Sequence, residues 1–301
     1  MSLKIAFGMI VFEGDYVLES CLESVYPYAT QILISEGPVG FWQHKGRTTS
    51  LDKTNEILKN FPDPENKITV VHGQFAEKDE QCNAYMKHIN DDIDYVWNLD
   101  SDEVYKQKDI ETIISLLEKN QYTSVSIRSA SFFGGFDRVM SGFEEMKNNF
   151  MRIFRVCSGA TWLTHRPPTI KYPISYNGPL NKHLDSEELY FKHGIQMYHY
   201  SYTFPLQVKN KLEYYKAKVS KERCVDDYYE NVYVPWVNGD LSNKFDIEMS
   251  NGGVHEFKKE TRIPCYTKKF IDGHPSSIEK RFEMLNERLV KEINELCSVN
   301  C

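Results

Sequence analysis

No Cys-x-x-Cys pair occurs in this chain, and its seven cysteines (Cys21, Cys82, Cys157, Cys224, Cys265, Cys297 and Cys301) form an odd, scattered set. That pattern argues against a disulfide framework or a zinc site and fits reduced thiols in a cytoplasm. Nowhere do about eighteen apolar residues run together, and Met1 to Gly8 leads into a strand-like segment without the apolar core and cleavage site of a signal peptide. The chain therefore reads as soluble and cytoplasmic, with peripheral membrane association left open. Long basic runs are missing too, and the net charge is −7. That argues against nucleic acid as a partner. An acidic protein that binds phosphates needs a cation as intermediary. Internal repeats and low-complexity linkers are also absent.

What the chain does have is a core. Of its 301 residues, 41% are hydrophobic, enough for one large domain with a sizeable appendage. Leu3 to Val11 reads as a buried strand, broken by Glu13-Gly14-Asp15. Tyr16, Leu18, Cys21, Leu22 and Val25 then recur at helical spacing, and Gln31 to Ser35 forms a second strand. So short a strand–helix–strand passage implies a right-handed parallel unit. The pattern continues with a loop over 39–49, a helix capped by Ser50 or Asp52, and a strand over 67–71. A helix over 80–89, a strand from Tyr95, a helix over 110–117 and a strand over 122–129 follow. Alternation of this kind predicts an α/β fold, a mostly parallel sheet flanked by helices. Phe150 to Val156 and Ile195 to Tyr200 read as further strands. Beyond Pro205 the chain reads as a helix to Arg223, an irregular aromatic segment, and a last helix over 277–296. Residues 1–204 are thus expected to form the main domain, with 205–301 a mainly helical extension packed on it.

The strand Tyr95-Val96-Trp97-Asn98-Leu99 ends in Asp100-Ser101-Asp102-Glu103. Ligands of open α/β sheets bind outside the carboxyl ends of the strands. Asp100 and Asp102 share one face of an extended backbone. Two such charges at about 4 Å repel by roughly 4 kcal/mol at an intermediate dielectric. A hard divalent cation, Mn²⁺ or Mg²⁺, removes that repulsion. A solvated acidic turn has the same local sequence.

The ordered set of segments resembles family 2 glycosyltransferases of the GT-A (Rossmann-like) fold, in particular a bacterial and viral subgroup. Gly8 to Val11 resembles that family's opening strand, and Ile32 to Gly37 its second strand. Ser50-Leu51-Asp52-Lys53-Thr54 is similar to its Ser-Thr-Asp-Gly-Thr element, and Cys82-Asn83 falls at its Arg-Asn. Leu99 to Glu103 matches its metal motif. Arg152-Ile153-Phe154-Arg155 and Tyr198-His199-Tyr200 are similar to the subgroup. The resemblance implies a metal-dependent transfer, with inversion, of a sugar from a nucleotide-sugar donor to a glycan or small hydroxyl acceptor. By it, Val11, Glu13, Glu36, Asp52, Asn83 and Asp100 would meet the donor, with Glu36 on the nucleobase or ribose. Asp100, Asp102 and His199 would hold the metal.

Three departures stand out. Ser35-Glu36 replaces an expected Asp, residues 39–49 are an insertion carrying Phe41, Trp42, His44, Lys45 and Arg47, and His165 is followed by Arg166 where the subgroup has His-Glu. The general base that an inverting transfer needs is therefore sought among Asp137, Glu144, Glu145 and His165, with Asp137 first for its Gly-rich loop. Trp162, Trp236 and Tyr233 are candidates for stacking on an acceptor sugar. Two other readings stay open: a sugar nucleotidyltransferase, and a carbohydrate- or nucleotide-binding protein that kept the fold without the chemistry. The first would want a Gly-rich basic loop after the opening strand, where Val11-Phe12-Glu13-Gly14-Asp15 is acidic.

Overall fold

The structure, a computed structural model, describes residues 3–142, 145, 149–218, 224–257 and 264–299. In chain order the elements begin with β1 (Ile5–Val11), α1 (Leu18–Val25), β2 (Gln31–Glu36), α2 (Gly40–Gln43), α3 (Thr54–Asn60) and β3 (Ile68–His72). They continue with α4 (Lys78–Met86), β4 (Tyr95–Asp100), β5 (Glu103–Val104), α5 (Gln107–Asn120), β6 (Ser124–Phe133), β7 (Arg138–Met140) and β8 (Asn149–Arg155). Next come β9 (Thr161–Thr164), β10 (Thr169–Lys171), β11 (His183–Leu184), α6 (Ser186–His193), β12 (Met197–Tyr202) and α7 (Pro205–Lys218). The described part ends with α8 (Val234–Asn238), α9 (Leu241–Asn251), β13 (Thr267–Lys269), α10 (Ser276–Glu279) and α11 (Phe282–Val299).

By their contacts the residues fall into two compact units. One comprises Met1–Arg128, Asn149–Met197 and Pro275–Ser277, the other Ser129–Asn148, Tyr198–His274 and Ile278–Cys301. In the first unit the strands run β3-β2-β1-β4-β8-β6. β1 pairs in parallel with β2 and with β4, and β2 with β3. β8 runs antiparallel to β4 and to β6, so the sheet is mixed, as the α/β reading and the GT-A resemblance implied. Every residue of β1 is buried, as expected of a central strand covered on both faces. On one face Ala6, Ile10, Leu33, Val96, Phe154 and Trp162 share a core with residues of α4. Elsewhere the Phe7 and Trp97 rings stack at 5.3 Å, and Tyr105 meets Trp97 edge-on at 5.1 Å. Amphipathic α1 buries Leu18, Cys21, Leu22 and Val25, the predicted apolar set.

The carboxyl ends of β1 and β2 are tied together by one side chain. Gln81, buried on α4, donates from Nε2 to Ser35 O at 3.0 Å, Gly37 O at 3.1 Å and Val11 O at 3.4 Å. Just beyond, Gly37 lies so close to the β3 end that a Cβ would fall 1.9 Å from Gly73 O, at φ +143°. Only glycine fits that backbone.

In the second unit, β7 pairs antiparallel with β13, Val139 facing Lys268. Its core gathers Phe133, Tyr202, Val208, Tyr233, Trp236 and Val254. Buried Glu248 accepts from Trp236 Nε1 at 2.9 Å and from the Thr267 hydroxyl at 2.7 Å, fixing α9 against β13. Tyr202 donates to buried Glu256 at 2.7 Å, and His255 lies 2.9 Å from the same oxygen. Burial pushes the Glu256 carboxyl up, but His255 and Lys211 outweigh it and hold the group well below the usual range.

Several elements differ from the sequence reading. The loop over 39–49 contains α2, and α3 begins at Thr54, past both proposed caps. The predicted irregular segment contains α8 and α9. The last helix is interrupted between Glu279 and Phe282, and α7 is described only to Lys218. Trp162, Trp236 and Tyr233 are buried in the two cores and offer no ring face to a sugar.

Replacing Gly37 by Ala should lower unfolding free energy by about 3 kcal/mol, the combined cost of a disfavoured backbone and an overpacked contact. Urea unfolding of the purified variant measures it, with Gly46→Ala, where a Cβ meets nothing within 4 Å, as the control for backbone strain alone.

Candidate active site

The site is built where β1, β2 and β4 of the first unit end. Asp100 is the last residue of β4, Asp102 follows in the turn, and Glu103 opens β5. Glu103 is fully buried, and Arg152 on β8 reaches it from inside the sheet. The guanidinium donates from Nε to Glu103 Oε2 at 2.9 Å and from Nη2 to Asp100 Oδ2 at 2.9 Å, and Nη2 also pairs with Glu103 Oε1. Burial opposes the Arg152 charge, but Glu103 and Asp100 overcome it and raise its proton affinity. The Asp100 side chain keeps 32% of its surface open. Beneath the acidic end lies buried Cys21, whose thiol is pushed well up, first by burial and then by Glu103, Asp102 and Asp100.

His165 lies in the same unit, nearly buried. Its Nδ1 is 3.5 Å from Cys82 Sγ, and its backbone N–H donates to Asp79 Oδ1. Burial drives the imidazole down to about 4 despite the opposing field of Asp100, so it is neutral at pH 7. Cys82, on α4, is pushed up to about 12 by burial and Asp100 and stays a thiol. Asn83 clasps β9 with both ends of its amide. It donates to Trp162 O at 2.9 Å and accepts from Trp162 N–H at 2.9 Å.

Two loops interlock at the end of β1. Glu13 N–H donates to Ser50 Oγ at 2.8 Å, Gly14 N–H to Thr54 Oγ1 at 2.9 Å, and Asp15 N–H to Asp52 Oδ2 at 3.1 Å. Burial, then the nearby Asp15, raises the Asp52 carboxyl. The 39–49 insertion packs onto the same loop, with Trp42 against Phe12 at 5.9 Å and Arg47 paired with Glu13. Gln43 anchors it by donating to Pro38 O at 2.9 Å and Phe75 O at 2.8 Å. Val11 itself is buried at the strand end, and its carbonyl accepts from Gly37 N–H at 3.0 Å.

At the end of β2, Glu36 is 2% exposed. Its Oε1 accepts from Ser50 N–H at 3.2 Å and its Oε2 lies 3.0 Å from His72 Nδ1. Both residues line an open cleft of about 860 Å³, together with Thr48, Thr49, Asn55, Lys59 and Gln74.

The predicted residues of the first unit, Val11, Glu13, Glu36, Asp52, Asn83, Asp100, Asp102 and His165, thus lie at or beside the ends of β1, β2 and β4. Asp137 and His199 belong to the second unit, Asp137 exposed on the loop after β6 and His199 half-buried on β12. Glu144 lies outside the described residues. Among the described residues no group of three or more His, Cys, Asp or Glu side chains is gathered to hold a metal ion. Asp100 and Asp102 offer oxygen donors of the kind Mg²⁺ and Mn²⁺ take, and Mg²⁺ is commonly held by one or two carboxylates with phosphate and water oxygens completing the shell. The donor chemistry therefore fits. Arg152, Gln81 and His72 were missing from the sequence-derived set. Arg152 was within reach, since it stands in the Arg-Ile-Phe-Arg segment.

Residues 48–172 match the family described as Glycosyl transferase family 2. This stretch is similar to family 2 glycosyltransferases. It contains Asp52, Asn83, Asp100, Asp102, Arg152 and His165. No curated protein matches the chain. Similar solved structures include residues 1-349 of S. aureus TarS, with 9% identity over 83% of this chain and 79% of that one, at a TM-score of 0.42. The same TarS fragment in complex with UDP-GlcNAc is 10% identical over 83% of this chain and 80% of that one, at 0.41. Against a longer TarS chain, identity is 11% over 51% of this chain at 0.35, and this chain spans 28% of its length. No helix among the described residues is long and apolar enough to cross a membrane.

Two measurements check the buried charges. Arg152→Met leaves Glu103 buried without its partner and should destabilise the fold by about 3 to 5 kcal/mol in denaturant unfolding. His165 titrates at about 4 in the native state and at about 6.5 when unfolded, so between those values the unfolded chain binds more protons. Stability should therefore fall as pH drops from about 6.5 to about 4, by about 3 kcal/mol from this group, and His165→Phe should remove that part of the slope.

Proposed function

We propose that this chain transfers a sugar from a nucleoside-diphosphate sugar to an acceptor hydroxyl, with a divalent cation bound at Asp100 and Asp102. The observation that carries the reading is the acidic end of β4, set beside the ends of β1 and β2 inside the segment that matches the family. The donor's nucleoside belongs at the β1 and β2 ends, and its diphosphate at Asp100 and Asp102. A divalent cation bound there would neutralise charge developing on the leaving diphosphate.

The chain's own residues have separable tasks. Arg152 fixes the Asp100 carboxylate from below, so Asp100 keeps one orientation whether or not a donor is present. Gln81 and Gly37 hold the strand ends in register, and the interlocked 13–15 and 50–54 loops give the donor a rigid floor. For the proton leaving the acceptor hydroxyl, His165, in the same unit and neutral at pH 7, has the form that a base requires. Inversion at the anomeric carbon is the outcome expected of a single displacement with such a base.

Thermal-shift titration of the chain with UDP, dTDP, GDP and CDP, each with and without Mn²⁺, tests the reading. A ligand at a hundredfold over its Kd should stabilise the fold by about 2.7 kcal/mol. The shift should require Mn²⁺ and disappear in Asp102→Ala. No shift from any nucleotide with Mn²⁺ present would overturn the proposal.

A further inference from the structure

The carboxylate at the end of β2 is sealed. Glu36 is 2% exposed and spends one oxygen on Ser50 N–H and the other on His72, its register partner across the parallel β2–β3 pair. It has no surface left for a ligand. His72 has the opposite character, with 61% of its side chain open and its ring on the wall of the cleft. We infer that His72, oriented by Glu36, reads a nucleobase in this cleft and selects one with a lactam edge, a ring N–H beside a carbonyl. The inference rests on the reading of the chain as a nucleotide-sugar enzyme and departs from a carboxylate that touches the base directly.

The selection follows from tautomer chemistry. A carboxylate can only accept, so His72 turns its Nδ1–H to Glu36, and the ring that holds one proton carries its lone pair on Nε2. Nε2 lies on the far side of the ring from Nδ1, away from Glu36 and toward the open cleft. A lone pair there needs a donor from the ligand. Uracil and thymine (at N3) and guanine (at N1) present a ring N–H, whereas cytosine and adenine present a lone pair at the corresponding position and would be repelled. Lys59, on the same cleft wall, supplies donors for the neighbouring carbonyl. Glu36 is then a positioning residue: it acts on the ligand only by choosing which ring nitrogen of His72 holds the proton.

Calorimetric titration of the full chain with UDP, GDP, CDP and ADP in Mg²⁺ tests this. UDP or GDP should bind at least about tenfold more tightly than CDP and ADP, the loss expected when a buried polar group is left facing a like partner. His72→Phe should bring the four within about twofold of one another. Glu36→Gln should turn the preference toward CDP and ADP, since an amide N–H given to Nδ1 moves the ring proton to Nε2 and makes that atom a donor. That base discrimination is a readout that a purely structural role for Glu36 would leave intact. CDP or ADP binding as tightly as UDP and GDP, or discrimination surviving in His72→Phe, overturns the inference and leaves the donor site standing. Binding of none of the four overturns both.

Discussion

A buried arginine makes the acidic end of β4 tolerable. Three carboxylates follow one another within four residues, and one of them, Glu103, has no contact with solvent. Without Arg152 the fold would have to bury an ionised group alone or protonate it, and either destabilises the native state by several kcal/mol. With it, the guanidinium pairs with both Glu103 oxygens and also donates from Nη2 to Asp100, at the edge of solvent. The pairing separates roles among like residues: Glu103 is structural, Asp100 is oriented, and Asp102 stands in the turn that follows.

Much of this was legible in the chain. The buried strands read as near-continuous apolar runs, and α1 as an apolar stripe at helical spacing. The acidic termination of β4 was visible as a break in polarity. What could not be read was pairing across sequence distance. Arg152 lies 49 residues from Glu103. Glu36 faces His72 only through the β2–β3 register, and a sequence that places Glu36 at a strand end gives no sign that another side chain will cover it. The same applies to Asn83, a polar residue on a helix face whose amide is matched to the Trp162 backbone.

The helix α9 was missed for a different physical reason. Leu241, Phe245 and Met249 recur every four residues but point outward, with exposures of 74%, 63% and 54%, while the buried member is Glu248. Periodicity that assigns apolar residues to the core inverts such a helix, so the segment read as irregular. Its anchor is polar: Glu248 holds Trp236 and Thr267, and Asp240 accepts from Asn243 N–H at the helix start. Trp236 and Tyr233 belong to the core against which that anchor closes.

The two thiols on the floor of the site, Cys21 and Cys82, carry a chemical consequence of their own. Nucleophilic sulfur is thiolate sulfur, and both groups are kept protonated by burial and by the carboxylates around them. Peroxides and electrophiles that modify low-pKa cysteines find nothing reactive there. The chain can therefore place soft, polarizable atoms beside a cluster of carboxylates without making that region a redox liability.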